Sequence, residues 1–138
     1  MNPAAFVFID TATGGVFKRN HVVAIDKFEP SCAAQDCFTT FLRFTDDLID
    51  YMQTHRNKNG SPSVAGYPGP GLALFVPFDF DCEENPAIAL ADARKVARRW
   101  MADYQVPANA IRVFFSGYKG FSIELPATLF GGFEPSVG

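Results

Sequence analysis

The residues of this sequence best suited to chemistry are two carboxylates, Asp79 and Asp81. They are separated by one position at the end of an apolar run, so in a strand both side chains leave the same face. Magnesium and manganese favour carboxylate oxygens, and two such ions stabilise the attacking and leaving oxygens of a phosphoryl transfer. The pattern also fits two acids that end a strand and, with Glu83 and Glu84, begin a solvated loop. Both interpretations stay open on this segment alone.

A second candidate segment combines two glycines with a lysine. Its sequence is Ser116-Gly117-Tyr118-Lys119-Gly120, and it lies between two stretches that are predicted as strands. In a tight connection of this kind, backbone amides can face an anion and the lysine ammonium can reach a phosphate. Taken alone, the segment also fits an ordinary glycine hairpin.

The elements around both segments are predicted as strand, helix, strand and strand. Residues 72–80 form a nearly unbroken apolar run, which predicts a strand buried on both faces. Asn85 is a suitable helix cap, and an apolar stripe at helical spacing continues to about Tyr104. Residues 111–115 and 121–125 are predicted as two further strands.

This order matches the opening part of a β-α-β-β-α-β unit, in which we expect the first and third strands to be sheet neighbours. Ser122 and Glu124 share a face of the third strand, so they are expected beside Asp79 and Asp81. The carboxylates and the anion-binding turn would then share one site. Without the last helix and strand, the first strand has an unpaired edge, which favours self-association.

Residues that precede this unit are predicted as a separate α/β module. Residues 6–9 and 16–17 flank a glycine turn and predict a hairpin, with a further strand at residues 21–25. Residues 38–52 carry apolar side chains at three- and four-residue steps, which predicts an amphipathic helix capped by Asp36.

The predicted fold class is therefore α+β. An N-terminal α/β module covers residues 1–71, and a partial RRM-like β-α-β-β sheet covers residues 72–138. Residues 57–71, rich in Asn, Gly, Ser and Pro, form the loop that ends the first module.

Composition excludes several classes of protein. With 138 residues, of which 48% are hydrophobic, the chain has enough apolar material for a buried core and is not predicted to be disordered. Three cysteines without a repeated spacing argue against a disulfide framework and a zinc knuckle. With no predicted signal peptide or membrane span, the predicted location is the cytoplasm.

The two candidate segments together resemble the first two signature segments of archaeo-eukaryotic primases and primase-polymerases. The resemblance covers about residues 72–126: an apolar strand that ends Asp79-Phe80-Asp81, a helix, and residues 115–126 (FSGYKGFSIELP). It implies a nucleotidyl transferase of the DNA primase or DNA polymerase type, active in DNA replication. Asp79 and Asp81 would bind the catalytic Mg²⁺ or Mn²⁺ ions.

The same resemblance implies how a nucleotide would be held. The nucleotide-binding residues would be Ser116, Gly117, Lys119, Gly120 and Ser122. A 3'-hydroxyl would attack the α-phosphate of a nucleoside triphosphate. Single-stranded DNA would serve as the template. The parent protein would be the enzyme, and the present chain alone would be a poor catalyst.

The sequence departs from the family pattern in two ways. Ser122 stands where the family usually has a histidine; serine can donate a hydrogen bond to phosphate but carries no positive charge. The family's third metal-binding aspartate has no candidate after Pro126.

Any contact with nucleic acid must come from a local patch, because the net charge is −3. One helix face carries Arg94, Lys95, Arg98 and Arg99. This face could hold a template backbone, but a solvated face is favoured. Of the aromatic residues Phe114, Phe115, Tyr118 and Phe121, most are expected in the core, with Tyr118 the best exposed candidate for base stacking.

Two alternatives to the nucleotidyl transferase stay open. The first is a non-catalytic RRM-like module that binds a nucleotide or single-stranded nucleic acid, which the two departures favour. The second is a metal-dependent nuclease built on the same carboxylate pair, which should degrade DNA without nucleotides.

Overall fold

The computed structural model describes residues 2–30, 35–116 and 119–137. Within these residues the protein is a mixed fold with two α-helices and two antiparallel sheets, which confirms the predicted α+β class. The chain divides into two compact units. The first comprises Met1–Leu74 and Phe133–Gly138, and the second comprises Phe75–Gly132.

The elements alternate irregularly along the chain. In order, the strands are β1 Phe8–Thr13, β2 His21–Ala24, β3 Cys37–Thr39, β4 Leu42–Phe44, β5 Pro70–Ala73, β6 Phe75–Asp81, β7 Arg112–Phe115, β8 Gly120–Pro126 and β9 Ser136–Val137. The helices are α1 Asp47–Thr54 and α2 Pro86–Asp103. Neither of these helices is both long and apolar enough to cross a lipid bilayer.

The first unit is built on a sheet with the strand order β2-β1-β4-β5-β9, and β3 also pairs with β1. The predicted N-terminal hairpin is present, but its return strand is β2 and not residues 16–17. Buried Asp10 explains the difference. Its carboxylate accepts hydrogen bonds from Arg19 Nε (2.9 Å) and from the amides of Asn20 (2.8 Å) and His21 (3.0 Å). Because a buried carboxylate needs such donors, pairing resumes at His21.

The helix predicted over residues 38–52 is wrong in its first half. The strands β3 and β4 come first, α1 begins only at Asp47, and Asp36 caps no helix. The apolar spacing fits a helix, but long-range bonding overrides it. The Thr40 amide donates to the Asp10 carbonyl (2.8 Å), and Thr40 Oγ accepts from the Asp10 amide (3.1 Å). These bonds hold the segment extended against β1.

The second unit is a three-stranded antiparallel sheet in the order β6-β8-β7, with α2 packed on one face. The apolar run 72–80, predicted as one strand, is divided between β5 and β6, which belong to different sheets. Burial on both faces is also wrong, because β6 alternates. Phe78 and Phe80 are half-buried on the α2 side, whereas Pro77 and Asp79 are exposed.

Helix α2 begins as predicted. The Asn85 side chain accepts a hydrogen bond from the Ala87 amide (3.0 Å), and Pro86 occupies the first helical position. The Trp100 ring packs 5.9 Å from the Phe78 ring, centroid to centroid. The buried core under the helix consists of Ala93, Val106, Ile123 and Leu125. This packing fixes α2 over β8 and β6 and leaves the opposite face of the sheet without it.

Candidate functional site

Asp79 and Asp81 lie on the face of the β6-β8-β7 sheet opposite α2. Side chains alternate between the two faces along each strand, which assigns nine residues to this outer face. They are Phe75, Pro77, Asp79 and Asp81 of β6, Gly120, Ser122 and Glu124 of β8, and Arg112 and Phe114 of β7. Both carboxylates are exposed. β6 and β8 are neighbours, as expected, and their register places Ser122 opposite Asp79 and Gly120 opposite Asp81.

The hydrogen-bond pattern between β6 and β8 brings these positions close together. The Cys82 amide donates to the Lys119 carbonyl at 2.9 Å. Bonded and non-bonded pairs alternate along antiparallel strands, so Asp81 and Asp79 occupy non-hydrogen-bonded positions. Opposite Cα atoms at such positions are only about 4.5 Å apart. Side chains from both strands can therefore reach one ligand.

The Lys119 ammonium lies beside Asp81, with 2.9 Å between Nζ and Oδ2. Glu83 Oε1 is 3.6 Å from the same nitrogen. The hydrogen bond that Lys119 donates to Asp81 and the negative charge of Asp81, followed by the charge of Glu83, raise the pKa of Lys119 above its usual value. Lys119 is therefore a cation at neutral pH. The structure brings the lysine predicted to bind phosphate into contact with a carboxylate predicted to bind metal.

Gly120 is required by the close passage of β8 along β6. A Cβ atom at this position would collide with Asp81 Oδ1 and with the Phe80 carbonyl oxygen. A side chain here would force β8 away from β6 or displace the Asp81 carboxylate. The glycine thus keeps Asp81 close to the turn that carries Lys119.

The Gly120 amide, predicted to bind an anion, is instead bonded within its own turn. It donates to Ser116 Oγ at 3.0 Å, and the Ser116 amide donates to the Gly120 carbonyl at 2.9 Å. The serine hydroxyl is thus the hydrogen-bond acceptor for the Gly120 amide. A phosphate oxygen could accept from this amide only by replacing the hydroxyl. Gly117, also predicted to bind nucleotide, and Tyr118 lie outside the described residues.

Glu124, expected beside Asp79 and Asp81, pairs instead with Arg112. It lies opposite Pro77, and its Oε2 is 3.1 Å from Arg112 Nη1. The Arg112 guanidinium carbon is 4.6 Å from the Phe75 ring centroid and 5.0 Å from that of Phe114. Sequence reasoning missed this cluster. Alternation along β7 places Arg112 and Phe114 on one face, but only the sheet order brings Phe75 to them.

Asp79 and Asp81 can supply two ligands to a divalent cation. Magnesium is commonly held by one or two carboxylates, with water and substrate phosphates at its other positions, and the pair fits that pattern. One of these two carboxylates, Asp81, already has a cationic partner in the Lys119 ammonium. In the part of the chain that the structure describes, no group of three or more His, Cys, Asp or Glu side chains is arranged to hold a metal.

The basic face of α2 lies away from the carboxylates. Its exposed side chains are Arg94, Lys95, Arg98 and Arg99. Arg99 Nε pairs with Asp103 at 2.9 Å. Because α2 covers the face of the sheet opposite Asp79, the sheet separates these cations from the carboxylate pair. This placement favours the solvated interpretation.

The prediction that most of the aromatic residues are core residues is wrong for Phe114 and Phe115. Both are exposed, Phe114 by 41%. Phe115 is exposed because α2 packs over β8 and β6 and not over β7, and Phe114 is exposed because it lies on the outer face, which α2 does not cover. Phe121 is half-buried, with its ring 4.9 Å from that of Phe115. Phe114 is thus free to contact a ligand on the outer face.

A cavity of about 600 Å³ lies elsewhere, within the first unit. Its walls include the Phe44 and Tyr67 rings and Arg19, whose Nε is already bonded to Asp10. None of the predicted site residues lines it. The candidate carboxylates, in contrast, lie on an exposed sheet surface.

Comparison of the chain with family models, with curated proteins and with solved structures found no match. Function is therefore inferred from the residues and geometry above.

Proposed function

We propose that the second unit carries the metal and triphosphate part of a nucleotidyl transferase site of the archaeo-eukaryotic primase type. One observation carries the proposal: the β6–β8 register places Ser122 opposite Asp79 and Gly120 opposite Asp81, with Lys119 Nζ 2.9 Å from Asp81. Carboxylates for a divalent metal and a cation for phosphate thus meet on one exposed surface.

The order of the elements supports the same assignment. The second unit runs β6, α2, β7 and β8, and its sheet order is β6-β8-β7. This is the arrangement that we expect for the first three strands of a β-α-β-β-α-β unit. The primase-type, RRM-like assignment of this sheet is part of the proposal.

The chemistry proposed is the attack of a 3'-hydroxyl on the α-phosphate of a nucleoside triphosphate, which forms a phosphodiester and releases pyrophosphate. Asp79 and Asp81 would hold Mg²⁺ or Mn²⁺, which would stabilise the charge on the phosphoryl oxygens. Lys119 would leave Asp81 to pair with the triphosphate. The Ser122 hydroxyl would donate one hydrogen bond to it. The template would be single-stranded DNA.

The proposal is tested by titration of the protein with a fluorescent nucleoside triphosphate in Mn²⁺. The double variant Asp79→Ala, Asp81→Ala should bind more than about tenfold more weakly, since loss of even an outer partner of a metal commonly costs that much. The matched control removes two exposed carboxylates of α2, as Asp92→Ala, Asp103→Ala, and should bind like the wild type. Equal binding by both double variants would contradict the proposal.

Two further measurements on the same protein distinguish the alternative functions. A non-catalytic binding module would hold the nucleotide equally well with EDTA in place of Mn²⁺. A nuclease would degrade single-stranded DNA in Mn²⁺ without any nucleotide, and the Asp79→Ala, Asp81→Ala variant would lose that degradation. A nucleotidyl transferase site requires metal-dependent binding and no such degradation.

A further inference from the structure

The outer face holds a pre-positioned cluster, the Arg112 cluster, made of Phe75, Arg112, Phe114 and Glu124. The guanidinium carbon lies 4.6 Å from the centroid of the Phe75 ring and 5.0 Å from that of the Phe114 ring, and Glu124 Oε2 is 3.1 Å from Arg112 Nη1. A cation over an aromatic face is attracted by the ring, and the ion pair fixes its position further. The cluster therefore exists before any ligand arrives.

Phe114 of the cluster lies in the same cross-strand row as the Asp79 carboxylate. Phe114 is opposite Ser122 on one side, and Asp79 is opposite Ser122 on the other. The Ser116 amide donates to the Gly120 carbonyl, which makes Phe114 and Ser122 a hydrogen-bonded pair, about 5.5 Å apart at Cα. With about 4.5 Å from Ser122 to Asp79, the row from Asp79 to Phe114 is on the order of 10 Å long. A nucleotide can span this row.

The chemistry of the cluster suits a flat, uncharged group and not a phosphate. The Arg112 guanidinium is held by Glu124, whose side chain is only 23% exposed, and by two phenyl rings. The Lys119 ammonium is held by the more exposed Asp81 and Glu83, so Arg112 is the less available of the two cations to a phosphate. The Arg112 guanidinium covers one side of the Phe114 ring, yet the phenylalanine remains 41% exposed. Exposed aromatic rings beside a charged groove are the surfaces on which nucleobases stack.

We propose that the Phe114 ring binds the base of the nucleoside triphosphate whose phosphates lie at Asp79, Asp81 and Lys119; this inference rests on the proposed function. Arg112 and Glu124 position the ring and do not touch the phosphates. Because every base has a flat π face, the contact accepts all four bases and distinguishes a nucleoside triphosphate from inorganic triphosphate.

The test compares two ligands in Mn²⁺, adenosine triphosphate and inorganic tripolyphosphate, by calorimetric titration. Phe114→Leu keeps an apolar side chain but removes the ring, and should weaken binding of the nucleotide by about tenfold, within the range for one base stacked on an aromatic ring. Binding of tripolyphosphate should not change. The matched control is Phe115→Leu, an exposed phenylalanine on the opposite face of the same strand, which should bind both ligands like the wild type.

The outcomes separate this inference from the proposed function. If wild type binds both ligands equally, or if Phe114→Leu binds the nucleotide as wild type does, the base contact is absent while the phosphate site stands. If wild type binds neither ligand, the proposed function fails and the base contact fails with it.

A measurement on the wild type alone covers the case in which Phe114→Leu does not fold. The fluorescence of 2-aminopurine is quenched when the base stacks on another ring. Quenching of bound 2-aminopurine riboside triphosphate would support the contact. Excess adenosine triphosphate should displace this nucleotide and reverse the quenching. Tripolyphosphate should not reverse it at a concentration that leaves the labelled nucleotide bound. Binding without quenching would overturn it.

Discussion

At the scale of single residues, the ion pair between Lys119 and Asp81 sets how metal and nucleotide would bind. In the free protein the Lys119 ammonium is 2.9 Å from Asp81 Oδ2, where it competes with a divalent cation. Asp81 also raises the Lys119 pKa, so deprotonation does not remove the competition near neutral pH. Triphosphate offers Lys119 another partner. Metal and nucleotide are therefore expected to bind more tightly together than separately.

We predict that Lys119→Met separates these two effects. Without nucleotide, the variant should bind Mn²⁺ roughly two- to fivefold more tightly, a modest gain because exposed ion pairs are weak. Its affinity for the triphosphate should fall. Both can be measured by electron paramagnetic resonance of free Mn²⁺ and by calorimetry. Lys95→Met, on the exposed face of α2, is the matched control; identical Mn²⁺ affinities for the two variants would argue against the competition.

At the scale of elements, local signals predicted the second unit better than the first. The cap at Asn85 and the apolar stripe of α2 are contained within a few turns of sequence, and both are confirmed. In the first unit, the helix predicted over residues 38–52 failed because bonds from Thr40 to Asp10, distant in sequence, decide its first half. The return strand of the hairpin is likewise set by buried Asp10, which no periodicity reveals.

The cap of α2 gives a prediction at this scale. Asn85→Ala removes the acceptor for the Ala87 amide and should lower the free energy of unfolding by about 1 kcal/mol. Urea unfolding followed by the fluorescence of Trp100, the single tryptophan, reports on the packing of α2 against β6. Asn109→Ala, also exposed in the second unit, should change it by less than about 0.5 kcal/mol. Equal urea midpoints for the two variants would rule out a stabilising cap.

At the scale of the whole molecule, the candidate site depends on an order of strands that the sequence pattern alone could suggest. A strand, a helix and two strands predict that the first and third strands pair, which brings Asp79 beside Ser122. The Arg112 cluster and the Ser116 bond to Gly120 could not be predicted in this way. Both depend on register and on side-chain directions that are defined only once the sheet has formed.

The same sheet order leaves β6 as an outermost strand among the described residues, and such edges can pair with another chain. Pro77 opposes that pairing. It lies at a non-hydrogen-bonded position towards β8, so its nitrogen faces the edge, where any other residue would present an N–H. The self-association expected for an unpaired edge should therefore be weak in this chain and stronger without the proline.

We predict that Pro77→Val increases the average mass measured by light scattering towards that of a dimer as the protein concentration rises, because it restores a donor at the edge and adds a β-branched side chain. The wild type should show a smaller increase over the same range. Pro107→Val, at an exposed position outside the strands, controls for the general effect of removing a proline. If Pro77→Val and the wild type have the same mass at every concentration, the β6 edge does not mediate association, and an interface would have to be sought on another surface.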